Sequence, residues 1–338
     1  MTLRSRAVVY AGAALGLVAL TVLAFGAGRF PLSLAELGAL AANKLFGAGY
    51  EVAPTVQTVV LQVRGPRILA ALLVGAALAA AGTAYQGMFR NPLVSPDILG
   101  VSAGAALGAV LGIFFSQSAL VIQLGAFAGG LAAVGLVYAV GANVRRHDPI
   151  LSLILAGIVL GTLLGAFIAL IKYLADPYNQ LPAITYWLLG SLAAVAPSDL
   201  ALAAPFALAG LVPLYLLRWR MNLLSLSDDE ARALGVPVGR LRFAVVCAAT
   251  LMTAAAVAIS GIIGWVGLLI PHAARMLVGP EFSRLLPLAM VLGAAFLLAV
   301  DTLARTVAPI EVPPGVLTAL IGTPFFLWLF VSARRAWQ

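Results

Sequence analysis

Long apolar runs alternate with short polar stretches along the whole chain, and most charged residues lie between the runs. Most runs are close to the roughly 20 helical residues that cross a hydrocarbon layer of about 30 Å. The pattern therefore predicts an all-α polytopic membrane protein with about ten transmembrane helices in a single domain, residues 1–338. The predicted spans are 7–28, 64–87, 102–115, 119–142, 150–174, 199–217, 241–260, 262–278, 285–304 and 314–332.

Composition strengthens this prediction and excludes the soluble classes of protein. Hydrophobic residues make up 63% of the chain and charged residues 9%, whereas a soluble globular domain averages about 45–50% and about 25%. The net charge is +8, but the basic residues are scattered between apolar runs, so nucleic acid is not an expected partner. Cys247 is the only cysteine and can form no intrachain disulfide.

The distribution of basic residues predicts the orientation in the membrane. An even number of spans puts both chain ends on one side, and cytoplasmic loops are enriched in Lys and Arg. The side shared by the two ends contains Arg4, Arg6, Arg90, Arg145, Arg146, Arg218, Arg220, Arg232, Arg240, Arg242, Arg275, Arg284, Arg334 and Arg335. The other side contains only Arg29, Lys44, Arg64, Arg67, Lys172 and Arg305. Both termini are therefore predicted to be cytoplasmic. The first run is predicted to be a retained helix, because it exceeds the about 7–15 residues of a cleaved signal.

Glycines recur every four residues in two of the predicted helices. One series is Gly100, Gly104, Gly108 and Gly112, and the other is Gly157, Gly161 and Gly165. Small residues at this spacing form a flat helix face on which the backbone of another helix can approach closely. The two series therefore predict helix packing faces.

Two polar loops have the residues that begin and end short helices. Ser33 and Glu36 form a capping-box pattern for a helix that ends near Gly47. In the second loop Ser227 precedes three acids, and Gly235 with Pro237 two residues further on ends the helix. A helix of about two turns is marginal alone in water. The membrane domain or a partner must therefore hold it.

Catalytic motifs are weak in this sequence. Residues 100–104 match G-x-S-x-G, the nucleophile elbow pattern, but a serine nucleophile needs a base, and the only histidines are His147 and His272. Glycine packing explains the match, so we predict no catalytic residue. The sequence has no Cys/His cluster for a metal site and no Gly-Lys-Ser/Thr of a P-loop. The chain is not predicted to be an enzyme, and any ATP hydrolysis requires another chain.

Asp97 and Asp301 are the acids nearest membrane depth, where ionisable groups suggest proton or cation coupling. An ion-coupled secondary transporter without an ATPase partner is therefore an alternative interpretation. Capping, or pairing with a nearby arginine, is the explanation we favour for both acids. A transport measurement in vesicles separates the two classes: an ATP-driven transporter requires ATP and an ATPase subunit, whereas transport by an ion-coupled transporter collapses with an uncoupler.

Several segments resemble one family of transport proteins. They are RNPLVSPDILGVSAG at 90–104, WLLGSL at 187–192, GIIGWVGLLIPHAAR at 261–275, EVPPGV at 311–316 and GTP at 322–324. In this order they resemble the FecCD/vitamin B12-type permeases of type II ABC importers. The resemblance implies a permease of ten helices in the bacterial inner membrane that works as a homodimer. It also implies two cytoplasmic ATP-binding subunits, which hold the ATP and Mg, and a periplasmic binding protein. No cofactor is implied on this chain.

The substrate implied by the resemblance is a metal chelate. An iron-siderophore is favoured, and haem, cobalamin or molybdate stay open. The region about 222–238 resembles the cytoplasmic coupling region that contacts the ATPase. Its coupling residues are expected to be Ser227, Asp228, Asp229, Glu230, Arg232, Leu234 and Gly235.

The resemblance also implies roles at the two membrane surfaces. Docking of the binding protein is expected at Arg64, Arg67 and Arg305. At helix ends these side chains are expected to reach water by snorkelling, to need no internal partner, and to make docking salt-dependent. The cytoplasmic gate resembles Asn91 and Leu93, and a second gate near 147–150 is not assigned. The helix with Gly157, Gly161 and Gly165 is expected to flank a pathway between the two copies.

Overall fold

The structure is a computed structural model that describes residues 3–28, 30–143 and 149–335, and the described part is helical without strands. The α-helices are α1 (Leu3–Gly26), α2 (Leu34–Phe46), α3 (Pro54–Thr58), α4 (Gly65–Met88), α5 (Val101–Phe114), α6 (Ala119–Asn143), α7 (Pro149–Leu174), α8 (Gln180–Leu188), α9 (Pro197–Met221), α10 (Asp228–Ala233), α11 (Val238–Ser260), α12 (Val266–Val278), α13 (Phe282–Ala304) and α14 (Pro314–Arg335). A π-helical turn, Val59–Arg64, joins α3 to α4, and 3-10 turns occupy Pro96–Leu99 and Asn222–Ser225. Arg29, Arg145, Arg146 and His147 lie outside the described residues.

The predicted all-α polytopic fold is confirmed. Among the described residues, seven helices are long and apolar enough to cross a membrane, and three shorter apolar helices accompany them. The shorter ones are Val101–Phe114, Val266–Val278 and Pro314–Trp328. Together the long and short helices correspond one to one to the ten predicted spans.

Helices α4 and α11 form the centre of the bundle. In the most apolar window of each, 78% of the residues are buried, against 6% in α1 and in α7. Helix α4 packs against α13, α11 and α12, and α11 packs against α9 and α6. Because α1 and α7 are apolar but lie at the periphery, their surfaces are available to lipid or to another chain.

Glycines allow the helix backbones to touch. On α4, a Cβ atom at Gly75 would overlap the carbonyl group of Gly293, and one at Gly82 would overlap the carbonyl group of Gly267. The helices α13 and α12 thus lie directly on α4. Contacts of this kind are the main way in which membrane helices gain close packing.

The predicted packing face of α5 is confirmed. Gly104 and Gly108 lie against Gly129 and Gly125 of α6, and Gly112 lies against Ile122. The series on α7 behaves differently.

Gly157 packs on the backbone of Ile98, but a Cβ atom at Gly161 or Gly165 would meet no other atom within 4 Å. Within the chain the predicted packing face of α7 is therefore confirmed only at Gly157. For Gly161 and Gly165, whose Cβ positions are open, it stays a prediction.

We predict that Gly82→Ala destabilises the fold by about 1–3 kcal/mol, because the added methyl group overpacks a contact between two backbones. The matched control is Gly135→Ala on α6, where an added Cβ meets nothing within 4 Å. The control is expected to be neutral, or stabilising by up to about 1 kcal/mol through helix propensity. Thermal unfolding of the detergent-solubilised chain measures both. Equal melting temperatures for the two variants would contradict the packing role of Gly82.

Candidate functional site

The short helix α10 is built by its own sequence. The Ser227 hydroxyl accepts a hydrogen bond from the Glu230 backbone N–H, and the Glu230 carboxylate accepts hydrogen bonds from the Ser227 N–H and hydroxyl. Gly235 follows the helix with a φ of 78°, a left-handed conformation that glycine adopts without strain. The predicted helix between Ser227 and Gly235 is confirmed as a local structure.

The hydrogen bonds from Ser227, through its backbone N–H and then its hydroxyl, hold the pKa of Glu230 below its usual range. A carboxyl group whose pKa is lowered in the folded state stabilises that state above the pKa of the unfolded chain. The contribution is lost as the pH falls through the lowered value. The cap is therefore complete at neutral pH and weakens only under acidic conditions.

The membrane domain anchors α10 through one carboxylate. Asp228 Oδ1 accepts hydrogen bonds from Arg242 Nη2 of α11 at 3.0 Å and from Arg90 Nη2 at 3.3 Å. Arg242 is buried, and so is Ala231 on the inner side of α10. The sequence left open whether the membrane domain or a partner holds this helix, and these contacts show that the membrane domain does.

The other side of α10 faces outwards. The Asp229 side chain is 95% exposed and pairs with Arg232, which is itself mostly exposed. Leu234 directly follows the helix and is 64% exposed, a large apolar side chain without cover. The helix therefore exposes charged and apolar side chains on its outer side, while its inner side is fixed to the membrane domain.

Asn91 and Leu93, the predicted gate residues, lie in the turn after α4. The Asn91 side-chain oxygen accepts a hydrogen bond from the Leu93 N–H at 2.9 Å, and Leu93 is exposed. Arg90, which contacts Asp228, precedes them with a φ of 52°. The turn and α10 thus meet at the same end of the bundle, which we call the arginine-rich end.

Three arginines lie at the opposite end, and Arg67 is at their centre. Arg67 Nε donates to both oxygens of Asp301 at 2.9 and 3.0 Å. Its Nη1 and Nη2 groups each donate to one oxygen of Glu311 at 3.0 Å. Asp301 is fully buried. One guanidinium therefore joins the start of α4, the end of α13 and the segment before α14.

The other two arginines close the end of α1. Arg64 donates to the carbonyl groups of Phe25 and Phe30, and Arg305 donates to those of Ala24 and Ala27. The last carbonyl groups of a helix have no partner within the helix and carry partial negative charge. Arg64 and Arg305 satisfy these groups and anchor a helix that is otherwise peripheral.

The expectation that these arginines reach water and need no internal partner is wrong. Arg64, Arg67 and Arg305 are only 5%, 7% and 7% exposed. A guanidinium group removed from water must be paired and hydrogen-bonded, and the carboxylates and the end of α1 provide those partners. Their docking role stays a prediction, and direct contact through freely exposed charges does not fit their burial.

Two acids that suggested ion coupling have partners inside the structure. Asp301 is paired with Arg67, as the favoured interpretation predicted. Asp97 accepts a hydrogen bond from the Ser102 hydroxyl. Ser102 is the serine of the G-x-S-x-G match, so this hydrogen bond pairs that serine with a carboxylate. Separately, the described part of the chain holds no cluster of metal-ligating side chains.

Sequence reasoning missed two residues of these clusters. Glu311 belongs to the segment EVPPGV, and Arg242 is one of the basic residues that predict the orientation, but the sequence predicts no individual role for either. A proline pair after Glu311 fixes the local chain, yet nothing in the sequence indicates that its carboxylate turns towards Arg67. Their partners lie 244 and 14 residues away.

The fold and its two ends define a polytopic transport permease. In the described part of the chain, ten apolar helices pack together with α4 and α11 at the centre, and a capped helix projects at one end. The sequence model of the FecCD transport family matches residues 10–332, and the chain belongs to this family.

Individual relatives cover almost the whole chain. The molybdate import system permease MolB of Haemophilus influenzae is 42% identical over 325 residues, which cover 96% of this chain and 95% of the relative. A protein of Helicobacter pylori named as a probable iron chelatin transport system permease is 40% identical over 319 residues, covering 94% and 96%. A solved structure described as a metal-chelate type ABC transporter in an inward-facing conformation superposes with a TM-score of 0.86. That structure is 41% identical, and the match covers 96% of this chain and 99% of the other.

We predict that Asp301→Ala lowers stability by about 3–5 kcal/mol, because it leaves the buried Arg67 with one carboxylate partner fewer. The control is Asp229→Ala, which removes an exposed ion pair with Arg232. The control is expected to cost about 0–1 kcal/mol. Unfolding of both variants in detergent compares them directly. A loss for Asp301→Ala no larger than that of the control would show that the buried cluster does not stabilise the fold.

Proposed function

We propose that the chain is the permease subunit of an ATP-driven importer. Two copies form a homodimer in the bacterial inner membrane with both termini in the cytoplasm. Two ATP-binding subunits join them at the arginine-rich end, and a periplasmic binding protein delivers the substrate to the opposite end. The observation that carries the proposal is α10, a capped helix anchored at Asp228 and exposed at Leu234.

The ATPase contact uses α10 and the region about 222–238. Ser227 and Glu230 keep the helix formed, and Asp228 keeps it attached to α4 and α11. Asp229, Arg232 and Leu234 form the surface that enters a groove of the ATPase. Because the helix is held rigidly, a movement of the ATPase subunits acts on the membrane helices. ATP and Mg are bound by the partner, and this chain needs no cofactor.

We predict that Leu234→Asp releases the ATPase subunits or uncouples hydrolysis from transport, because an apolar contact is replaced by a desolvated charge. Leu45→Asp is the matched control, since Leu45 is also a solvent-exposed leucine but lies at the opposite end. Co-purification of the ATPase and transport per ATP hydrolysed are measured for both. Parent-level assembly and transport in Leu234→Asp would contradict the coupling role.

The pathway lies between two copies and is flanked by α7. This helix is apolar over 25 residues, and only 6% of its most apolar window is buried within the chain. Gly161 and Gly165 are open to a neighbour. Leu155, Leu163 and Phe167 are exposed. A second copy, related by two-fold symmetry, covers such a surface, and the pathway then lies between the two chains and not within either one. Asn91 and Leu93 form the gate where this pathway meets the cytoplasm.

Docking of the binding protein takes place at the end that contains Arg64, Arg67 and Arg305. Their burial gives them a different role from the one the sequence predicted. They fix the ends of α1, α4 and α13 in one arrangement, and thereby shape the surface that the binding protein meets. Three positive charges beside Asp301 and Glu311 leave only a small net field for electrostatic steering.

The transported compound is a metal chelate or a metal oxyanion. We propose an iron chelate, supported by the H. pylori relative, and molybdate is the second candidate because of the relative in H. influenzae.

We predict that the permease reconstituted with its ATPase and binding protein hydrolyses ATP faster with one substrate of a panel. Ferric siderophore, haemin, cobalamin and molybdate are added separately, and uptake of each into vesicles is measured with and without ATP. Stimulation by a ferric siderophore is expected, and stimulation by molybdate alone would exclude the iron assignment. Uptake that continues without ATP and stops with an uncoupler would replace the importer by the ion-coupled alternative.

A further inference from the structure

A cavity of about 840 Å³ opens between the helices at the arginine-rich end. Its walls come from α1, α4, α12 and α13 and from the 3-10 turn after α9, and its polar side chains include Arg6, Asn222, Arg275 and Arg284. None of the individual residues assigned above to coupling, gating or docking lines it. The cavity therefore needs an explanation of its own.

Positive charge exceeds negative charge in this cavity. Glu281 is the carboxylate in its wall, and it already forms an ion pair with Arg284 (Nε–Oε2 2.7 Å) and accepts a hydrogen bond from the Ser283 hydroxyl at 2.6 Å. Arg275 donates to the neutral Gln86 side chain at 3.0 Å. Within the described residues, neither Arg6 nor Arg275 has a carboxylate within 4.0 Å.

Arg6 carries a charge that its surroundings leave incompletely satisfied. Its Nε atom is buried, yet it has no hydrogen-bond partner among the described residues. A buried N–H of a charged group without an acceptor costs free energy, and most such groups in native structures have a partner. The guanidinium groups of Arg6 and Arg275 both line the cavity without a carboxylate partner among the described residues, so an anion between them would balance the two charges.

The apolar part of the wall indicates what kind of anion fits. Met221, Leu277, Phe282 and Leu285 line the same cavity as the arginines. The adjoining α1 is apolar and packs on α13, and only 6% of its most apolar window is buried, so its outer side faces lipid. A free inorganic anion would make no use of an apolar wall. A phospholipid would, because its acyl chains continue from the headgroup along a lipid-facing helix.

We propose that this cavity binds the headgroup of an anionic phospholipid, with the phosphate held by Arg6 and Arg275. Basic pockets between transmembrane helices on the cytoplasmic side are suited to anionic headgroups. The proposal rests on the arginines, the cavity and the cytoplasmic orientation proposed above, and it does not depend on the transported substrate.

The test is native mass spectrometry of the delipidated full chain, titrated with phosphatidylglycerol or with phosphatidylcholine of the same acyl chains. Phosphatidylglycerol is expected to bind more tightly. At about fivefold in affinity per basic residue near a lipid surface, the variant with Arg6→Gln and Arg275→Gln should lose roughly thirtyfold. Arg220→Gln is the control. Arg220 is exposed in the last turn of α9, at the same end of the bundle as the cavity, but it does not line the cavity.

A second variant keeps the test decisive if the double variant fails to fold. Arg6→Gln alone removes a guanidinium whose Nε makes no hydrogen bond, and about a fivefold loss is expected from it. Equal affinity for the two lipids, an equal loss in Arg220→Gln, or displacement of phosphatidylglycerol by excess inorganic phosphate would each overturn the proposal.

Discussion

Contact between helix backbones is the constraint on which the rest of this structure depends. Apolar side chains gain little by leaving lipid for the interior of a helical bundle, so close packing must provide the attraction. Helix α4 achieves this at Gly75 and Gly82, where α13 and α12 touch its backbone directly. A larger side chain at either position would push the neighbouring helix away. The buried centre, and with it the position of both functional ends, follows from these small residues.

Charge performs a different task at each end of α4. At the end that contains Arg64 and Arg305, Arg67 is buried between Asp301 and Glu311, so the charges hold the ends of helices together. At the arginine-rich end Asp228 links Arg90 to Arg242 and leaves the outer side of α10 free. Ion pairs with buried members tolerate no loss of a partner. Both surfaces proposed to meet other proteins therefore lie on parts of the chain that resist movement.

Local features could be predicted from the sequence, and distant pairings could not. The cap between Ser227 and Glu230 spans three residues, and the spacing of Gly104 and Gly108 lies within one helix. Both were predicted because each pattern of residues lies within one short stretch of sequence. The partner of Arg67 lies 234 residues away at Asp301, and nothing in either segment specifies that pairing. Burial of the three arginines depends on how four helices meet, which periodicity does not encode.

The distribution of rigid and loose parts limits how such a permease can change shape. Moving α4 along its axis would break the pairing of Arg67 with Asp301 at one end and strain the link from Arg90 to Asp228 at the other. Packed glycine contacts do not deform continuously, because backbone atoms already touch. By contrast, α7 packs mainly on α5, α6 and the 3-10 turn Pro96–Leu99, and only 6% of its most apolar window is buried within the chain. In the proposed homodimer, a conformational change therefore proceeds by moving whole chains against each other at surfaces such as α7, while the core of each chain keeps its internal arrangement.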